Sequence, residues 1–227
     1  KVMLVLEEIY KSKKAQNSEH FNLRIHRSLS WLKKAALLQD DLDLRLISLW
    51  IGLSAIYTPN IEPIQQITGQ AEQVIQAKNS FSTFLGKIFK LDHEQKIYQL
   101  IWEKLRQQID SLIENPYLFQ SFWDYQNKKI SQILGKEEVV LEKIRVHQIL
   151  QSKDTVAVLD IIFKRLNTLY QQIISGGATY NSSFNRKQLQ QCCNILITIL
   201  PAFLYIVLEN AEVFDTAQPF YPVVQMS

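Results

Sequence analysis

The chain has 227 residues, 47% of them apolar, with only six glycines and six prolines. That composition excludes a disordered or collagen-like chain, and the length allows one sizeable core. A net charge of +3 excludes a whole-molecule electrostatic case for nucleic acid, so any such site has to be a local patch.

Residues 2–10 form a short first helix, and the polar residues 11–18 connect it onward. Phe21, Ile25, Leu29, Leu32 and Ala36 then mark the apolar side of a second helix. On its other side His20, Arg24, Arg27 and Trp31 fall within an arc of about 60° at roughly 100° per residue. Two guanidiniums and an aromatic ring suit a phosphate backbone and a stacked base. An ordinary solvated face reads from the same residues, since arginines are common on exposed helix surfaces.

Asp40, Asp41 and Asp43 open a third helix, where carboxylates meet the positive end of its dipole. Residues 46–56 are apolar nearly all round, which predicts a buried central helix. Arg45 is expected to pair with a neighbouring acid, and Trp50 to belong to the core. Two prolines make 58–63 a loop. Residues 65–78 read as a peripheral helix and 81–89 as a packed one. Ile97, Ile101, Leu105, Ile109 and Leu112 predict one long amphipathic helix with a wet face of mixed charge.

Asn115-Pro116 breaks that helix, and Tyr117, Phe119, Phe122, Trp123 and Tyr125 follow as a packing anchor beneath a loop. Residues 128–151 read as one or two helices interrupted near Gly135. His147 has no partner acid at a spacing that would make it a general base.

The densest information lies in residues 161–186, IIFKRLNTLYQQIISGGATYNSSFNR. Leu159, Ile162, Leu166, Leu169 and Ile173 draw a narrow apolar stripe of the kind that packs against a partner helix. Gly176 and Gly177 end that helix, because glycine accepts the left-handed backbone of a helix C-terminus. Asn181, Ser182 and Ser183 supply capping oxygens for the next helix. Residues 195–208 are almost wholly apolar around Pro201. The run is shorter than the about 20 residues a membrane span needs and predicts a buried, kinked helix. The tail to Ser227 is expected to lie extended across the body.

The frame after Ser175 resembles that of the HEPN superfamily of prokaryotic helical proteins, many of which cleave RNA without a metal. Relatives read Leu-Arg-Asn, three residues, His-Gly-Gly, then Ala-Thr-aromatic-Asn-Ser-Ser. Here the same frame reads Leu169, Tyr170, Gln171, then Ser175, Gly176, Gly177, Ala178, Thr179, Tyr180, Asn181, Ser182, Ser183. LRIHRSLSWLKKA (23–35), DLDLRLISLWIGLSAIY (41–57), NSSFNRKQL (181–189) and FYPVV (220–224) are similar to other parts of the family, so the resemblance covers roughly a third to a half of the chain.

The resemblance implies an all-α fold: a HEPN-like helical bundle with additional peripheral helices and no sheet. It implies one domain over 1–227, with 64–151 as a helical insertion. It also implies a homodimer through the helix that ends at Ser175, and a role in RNA-directed defence or a toxin–antitoxin system with a partner protein from the same operon. The family's Arg slot holds Tyr170 and its His slot holds Ser175. Tyr170 supplies no cation and Ser175 no base near neutral pH, and each contribution can be worth about 10²-fold or more. The chain therefore reads as a catalytically impaired member that binds RNA, with Arg24, Arg27, Trp31, Asn181 and Arg186 as contacts and no catalytic residue. The turn around Asn181 serves equally as a helix stop and cap. A working metal-independent ribonuclease with a displaced site and a partner-binding dimer with no RNA role are the alternatives. Restoring Arg at 170 and His at 175 would place cation and base at the family's spacing.

No metal-ligand cluster, Gly-rich phosphate loop or other cofactor motif is visible, so neither metal nor cofactor is expected. Cys192 and Cys193 are neighbours and point apart in a helix, as free thiols of a reducing compartment. The opening KVMLVLEEIY lacks a secretory apolar region with its cleavage site. A cytoplasmic protein without a membrane span is the expectation.

Overall fold

The computed structural model describes residues 1–57, 70–215 and 221–224, and only the backbone of 70–80. Among them are eleven α-helices and no strand. They are α1 (Val2–Lys13), α2 (Glu19–Leu37), α3 (Leu42–Tyr57), α4 (Gln70–Leu91), α5 (Lys96–Gln99), α6 (Arg106–Ile113), α7 (Gln120–Gln126), α8 (Gln132–Ser152), α9 (Thr155–Ile174), α10 (Arg186–Glu209) and α11 (Ala211–Phe214). The all-α expectation holds.

The centre of the bundle is α3, packed between α2 and α10. Its residues Leu46, Leu49, Leu53 and Ile56 are fully buried. Helices α2 and α3 cross at Gly52. A Cβ there would lie 3.3 Å from Leu200, 3.4 Å from the Ser28 carbonyl and 3.5 Å from Trp31, so any larger side chain would push the helices apart. The buried Ser28 hydroxyl donates to the Gly52 carbonyl at 2.7 Å and closes the crossing.

The residues after 69 do not stand apart as a lobe. Phe84, Leu85, Ile88, Ile97, Ile101, Ile109 and Leu112 join the same core as α2, α3, α9 and α10. The loop expected at 58–63 lies outside the described residues, as does the start of the helix expected at 65–78; the rest of that helix and the one expected at 81–89 are one helix, α4. The long helix expected over 97–112 is divided. A π-helical turn at Leu100–Lys104 follows α5, with the Leu105 amide donating to Leu100 rather than to Ile101. Gly135 does not interrupt α8. It lets α7 approach, since a Cβ there would meet that of Tyr125 at 3.0 Å.

α10 carries Pro201 and continues through it. The segment Ser183–Glu209 is long and apolar enough to cross a membrane by composition, and 61% of its most apolar stretch is buried inside the fold. Cys192 and Cys193 are free and buried on this helix.

Burial pushes the Cys193 thiol from an ordinary value near 9 up to about 12, and raises Cys192 as well. The folded state therefore holds these protons more tightly than the unfolded chain. That share of stability is complete below pH 9 and is lost as pH rises toward 12. A thiol reagent at pH 8 should label neither cysteine of the native protein and both in denaturant. Labelling of the native protein at the rate of the unfolded chain would contradict this burial.

Candidate functional site

α9 begins at Asp154, whose carboxylate accepts from the Ala157 amide at 3.1 Å. It ends at Ser175, with Gly176 at φ +76°. Gly177 donates to the Gln172 carbonyl at 2.7 Å, where a Cβ would come within 2.9 Å of that oxygen. The double glycine thus acts as the sequence predicts.

The apolar stripe of α9 is consumed inside the protomer. Leu159, Ile162, Leu166 and Leu169 are buried, and Ile173 is partly so. On another side of the helix Lys164, Thr168, Gln171 and Ser175 fall within about 60° at 3.6 residues per turn.

The segment after Asn115-Pro116 stands beside this polar side. Asn115 caps a 3₁₀ turn at Pro116–Leu118 by accepting from the Tyr117 amide at 3.0 Å. The Tyr117 carbonyl accepts from Trp123 Nε1 at 2.7 Å and from Gln172 Nε2 at 3.2 Å. With the turn after Gly177 as a third wall, these elements enclose an open groove of about 600 Å³. Tyr117, Trp123, Gln171, Ser175, Ser182 and Phe184 line it, and among the described residues no charged one does. None of the chain's four histidines reaches it. Such a groove can stack a planar group and hydrogen-bond its edges. It has no side chain that would move a proton near neutral pH.

The third wall is held by two acids at the start of α3. Asp41 caps that helix by accepting from the Leu44 amide at 3.0 Å, and accepts the Tyr180 hydroxyl at 2.7 Å. Asp43, only 4% exposed, accepts from Arg186 Nη1 at 2.7 Å and Nη2 at 3.0 Å, and from the Asn181 amide at 3.3 Å. Asn181 itself sits at φ +54°, a region asparagine tolerates better than most residues. Ser182 caps the short 3₁₀ turn ahead of α10. Of the expected RNA contacts Asn181 and Arg186, the Arg186 guanidinium and the backbone amide of Asn181 are thus bonded to Asp43. Arg45, expected to pair with an acid, makes no ion pair among the described residues, and its Nε is buried without a partner.

The two motif slots diverge. Tyr170 stacks on Trp50 of α3, with ring centroids 4.9 Å apart and planes at 15°. Ser175 lines the groove and donates its hydroxyl to the Gln171 carbonyl. Five residues on a helix are about 140° apart, so one protomer does not bring these side chains to one point.

The face of α2 is not one open surface. Arg24 donates from Nη1 to the Phe214 carbonyl at 3.2 Å, from Nε to Ala55 at 3.5 Å, and from Nη2 to Ile56. It closes the C-terminal ends of both α3 and α11. Burial pulls it below the usual guanidinium range, and Asp215 opposes that. Arg27 donates to the Tyr221 carbonyl at 2.5 Å and ties the tail to α2. Trp31 is partly exposed beside the Gly52 crossing, and His20 is exposed.

No protein-family model matches the chain, and no solved structure matches its fold.

Asp43 and Arg186 should be coupled. The side chain of Asp43 is nearly buried and that of Arg186 about a quarter exposed, which screens the pair somewhat. A double-mutant cycle with Asp43→Ala and Arg186→Ala, read by chemical denaturation, should give a coupling of about 1–2 kcal/mol. Additive losses would show that the pair does not hold the turn.

Proposed function

We propose that the chain is a HEPN-like protein that binds single-stranded RNA without cutting it, in the groove along α9. The observation that carries this reading is a groove of aromatic, amide and hydroxyl side chains, without a charge among the described residues that line it, running to the family's His slot at Ser175. Splayed bases of single-stranded RNA stack on aromatic rings and are read through amide contacts to their edges. Metal-free cleavage needs an acceptor for the 2′-hydroxyl proton and a fixed cation. The groove offers neither, and Tyr170 is turned to Trp50. The resemblance implies an RNA-directed defence or toxin–antitoxin system for such a protein, and the two free thiols suit a reducing cytoplasm.

Phe184 tests the reading, because its ring is 74% exposed and its loss leaves the core intact. Stacking is worth about 1–3 kcal/mol per base, so Phe184→Ala should weaken binding of a labelled RNA decamer by about fivefold or more. The unmodified protein should leave the RNA whole. Cleavage that persists in chelator and leaves cyclic phosphate ends would sink the non-cutting reading, and unaltered affinity in Phe184→Ala would sink the groove.

A second reading, a module that binds a copy of itself or a protein from the same operon, is favoured by α8. Ile133, Val140, Leu141 and Ile144 are all more than half exposed on the side of that helix turned away from its buried residues. Val140→Glu with Ile144→Glu should then convert a sedimenting dimer to monomer. A monomer before substitution removes the self-pairing form.

A further inference from the structure

A second cavity of about 520 Å³ lies between α8 and α9. It shares Gln120 and Thr168 with the groove, so the two are adjoining compartments on either side of the start of α7. Their chemistry is opposite. Arg145, Lys164 and Arg165 line the second compartment, together with the acids Glu138 and Glu142. With Asp160 on Lys164, three cations face three carboxylates, so what the compartment offers an anion is its guanidinium donors rather than an excess of charge.

Arg165 is the built part. Its side chain is only 5% exposed, its Nη2 donates to Glu142 at 3.0 Å, and its guanidinium lies 3.8 Å over the Phe119 ring. Its Nε is buried with no partner. A guanidinium carries five N–H donors in a fixed plane and is costly to bury unless they are satisfied. One carboxylate oxygen at one terminal nitrogen leaves donors over. Arg145 makes no ion pair or hydrogen bond among the described residues. Lys164 pairs with Asp160 at 2.7 Å, and such half-exposed pairs are readily exchanged for another anion. A planar buried guanidinium with a second arginine and a lysine at its mouth is a phosphate-binding chemistry.

We infer that the compartment between α8 and α9 holds the phosphate next to a base seated in the groove, so that the two compartments together take one nucleotide unit of a single strand. This rests on the reading of the groove as an RNA site. It adds where the backbone charge is met: by α8 and α9, and not by the α2 face, whose arginines are held by carbonyls of the chain. Glu142 keeps Arg165 in place and offsets part of its charge.

Arg165→Ala would leave Glu142 unpaired and Phe119 uncovered, and could fail to fold. The test therefore uses Arg145→Ala with Lys164→Ala, at the mouth, with circular dichroism to check the fold. Binding of a fluorescein-labelled single-stranded RNA decamer is measured across a salt series. The double variant should bind about tenfold more weakly. Its slope of log affinity against log salt should be flatter by about 0.7, because one phosphate contact on a single strand contributes about 0.7. An unchanged affinity and slope in this variant, with Phe184→Ala still weakening binding, overturns the phosphate compartment and leaves the groove standing. Absence of RNA binding by the unmodified protein at about 50 mM salt overturns both.

Discussion

The constraint on which the site depends is one buried carboxylate. Asp43 sits in the first turn of α3, almost out of reach of water, and an ionised carboxylate there has to be met by donors. The donors come from the far side of the double glycine: both terminal nitrogens of Arg186 and the amide of Asn181. Meeting them folds the chain after α9 back onto α3, and this makes the turn a wall of the groove. The left-handed Gly176 and Asn181 are the backbone cost of that path. Tyr180 on Asp41 adds a second fastening a few residues away.

The same geometry accounts for what α9 can and cannot do. A helix so deeply packed has little free surface, and its apolar stripe is used up against α3, α4, α6 and α8. What remains is a polar strip from Lys164 to Ser175. Its lower part is charged and its upper part is neutral, and the two open into different compartments. Tyr170 belongs to neither, because its ring is stacked on Trp50. An arginine at that position would bury a charge beside an indole, away from the groove.

Much of the fold was legible because apolar spacing reports burial directly. Phe21, Ile25, Leu29 and Leu32 on α2, the nearly all-apolar α3, the stripe of α9 and the apolar run of α10 are all core as the periodicity predicts. The Gly-Gly stop was legible because only glycine suits that backbone. The failures share a cause, which is dependence on a distant neighbour. Gly135 reads as a breaker until Tyr125 is seen against it. The π turn at Leu100–Lys104 carries no local sign. Arg24 and Arg27 look like a binding face, and nothing in their own helix announces that carbonyls of Ala55, Ile56, Phe214 and Tyr221 lie within reach. The aromatic cluster after Asn115-Pro116 was readable as an anchor, but its apposition to Gln172 and Phe184, more than fifty residues away, was not.

The clamp at Arg24 has a consequence for the order in which the molecule is made. Arg24 waits for Phe214, 190 residues later, and the Ser18 hydroxyl that opens α2 waits for Asp215 at 2.6 Å across a separation of 197. A ribosome emitting about 5–20 residues each second delivers α2 and α3 many seconds before these partners exist. Until then the carbonyls at the end of α3 are left to water, and the buried side of α3 lacks α10. The start of α2 and the end of α3 are therefore closed by residues made nearly two hundred positions after α2, and the first helices settle only once α10 and α11 have been made.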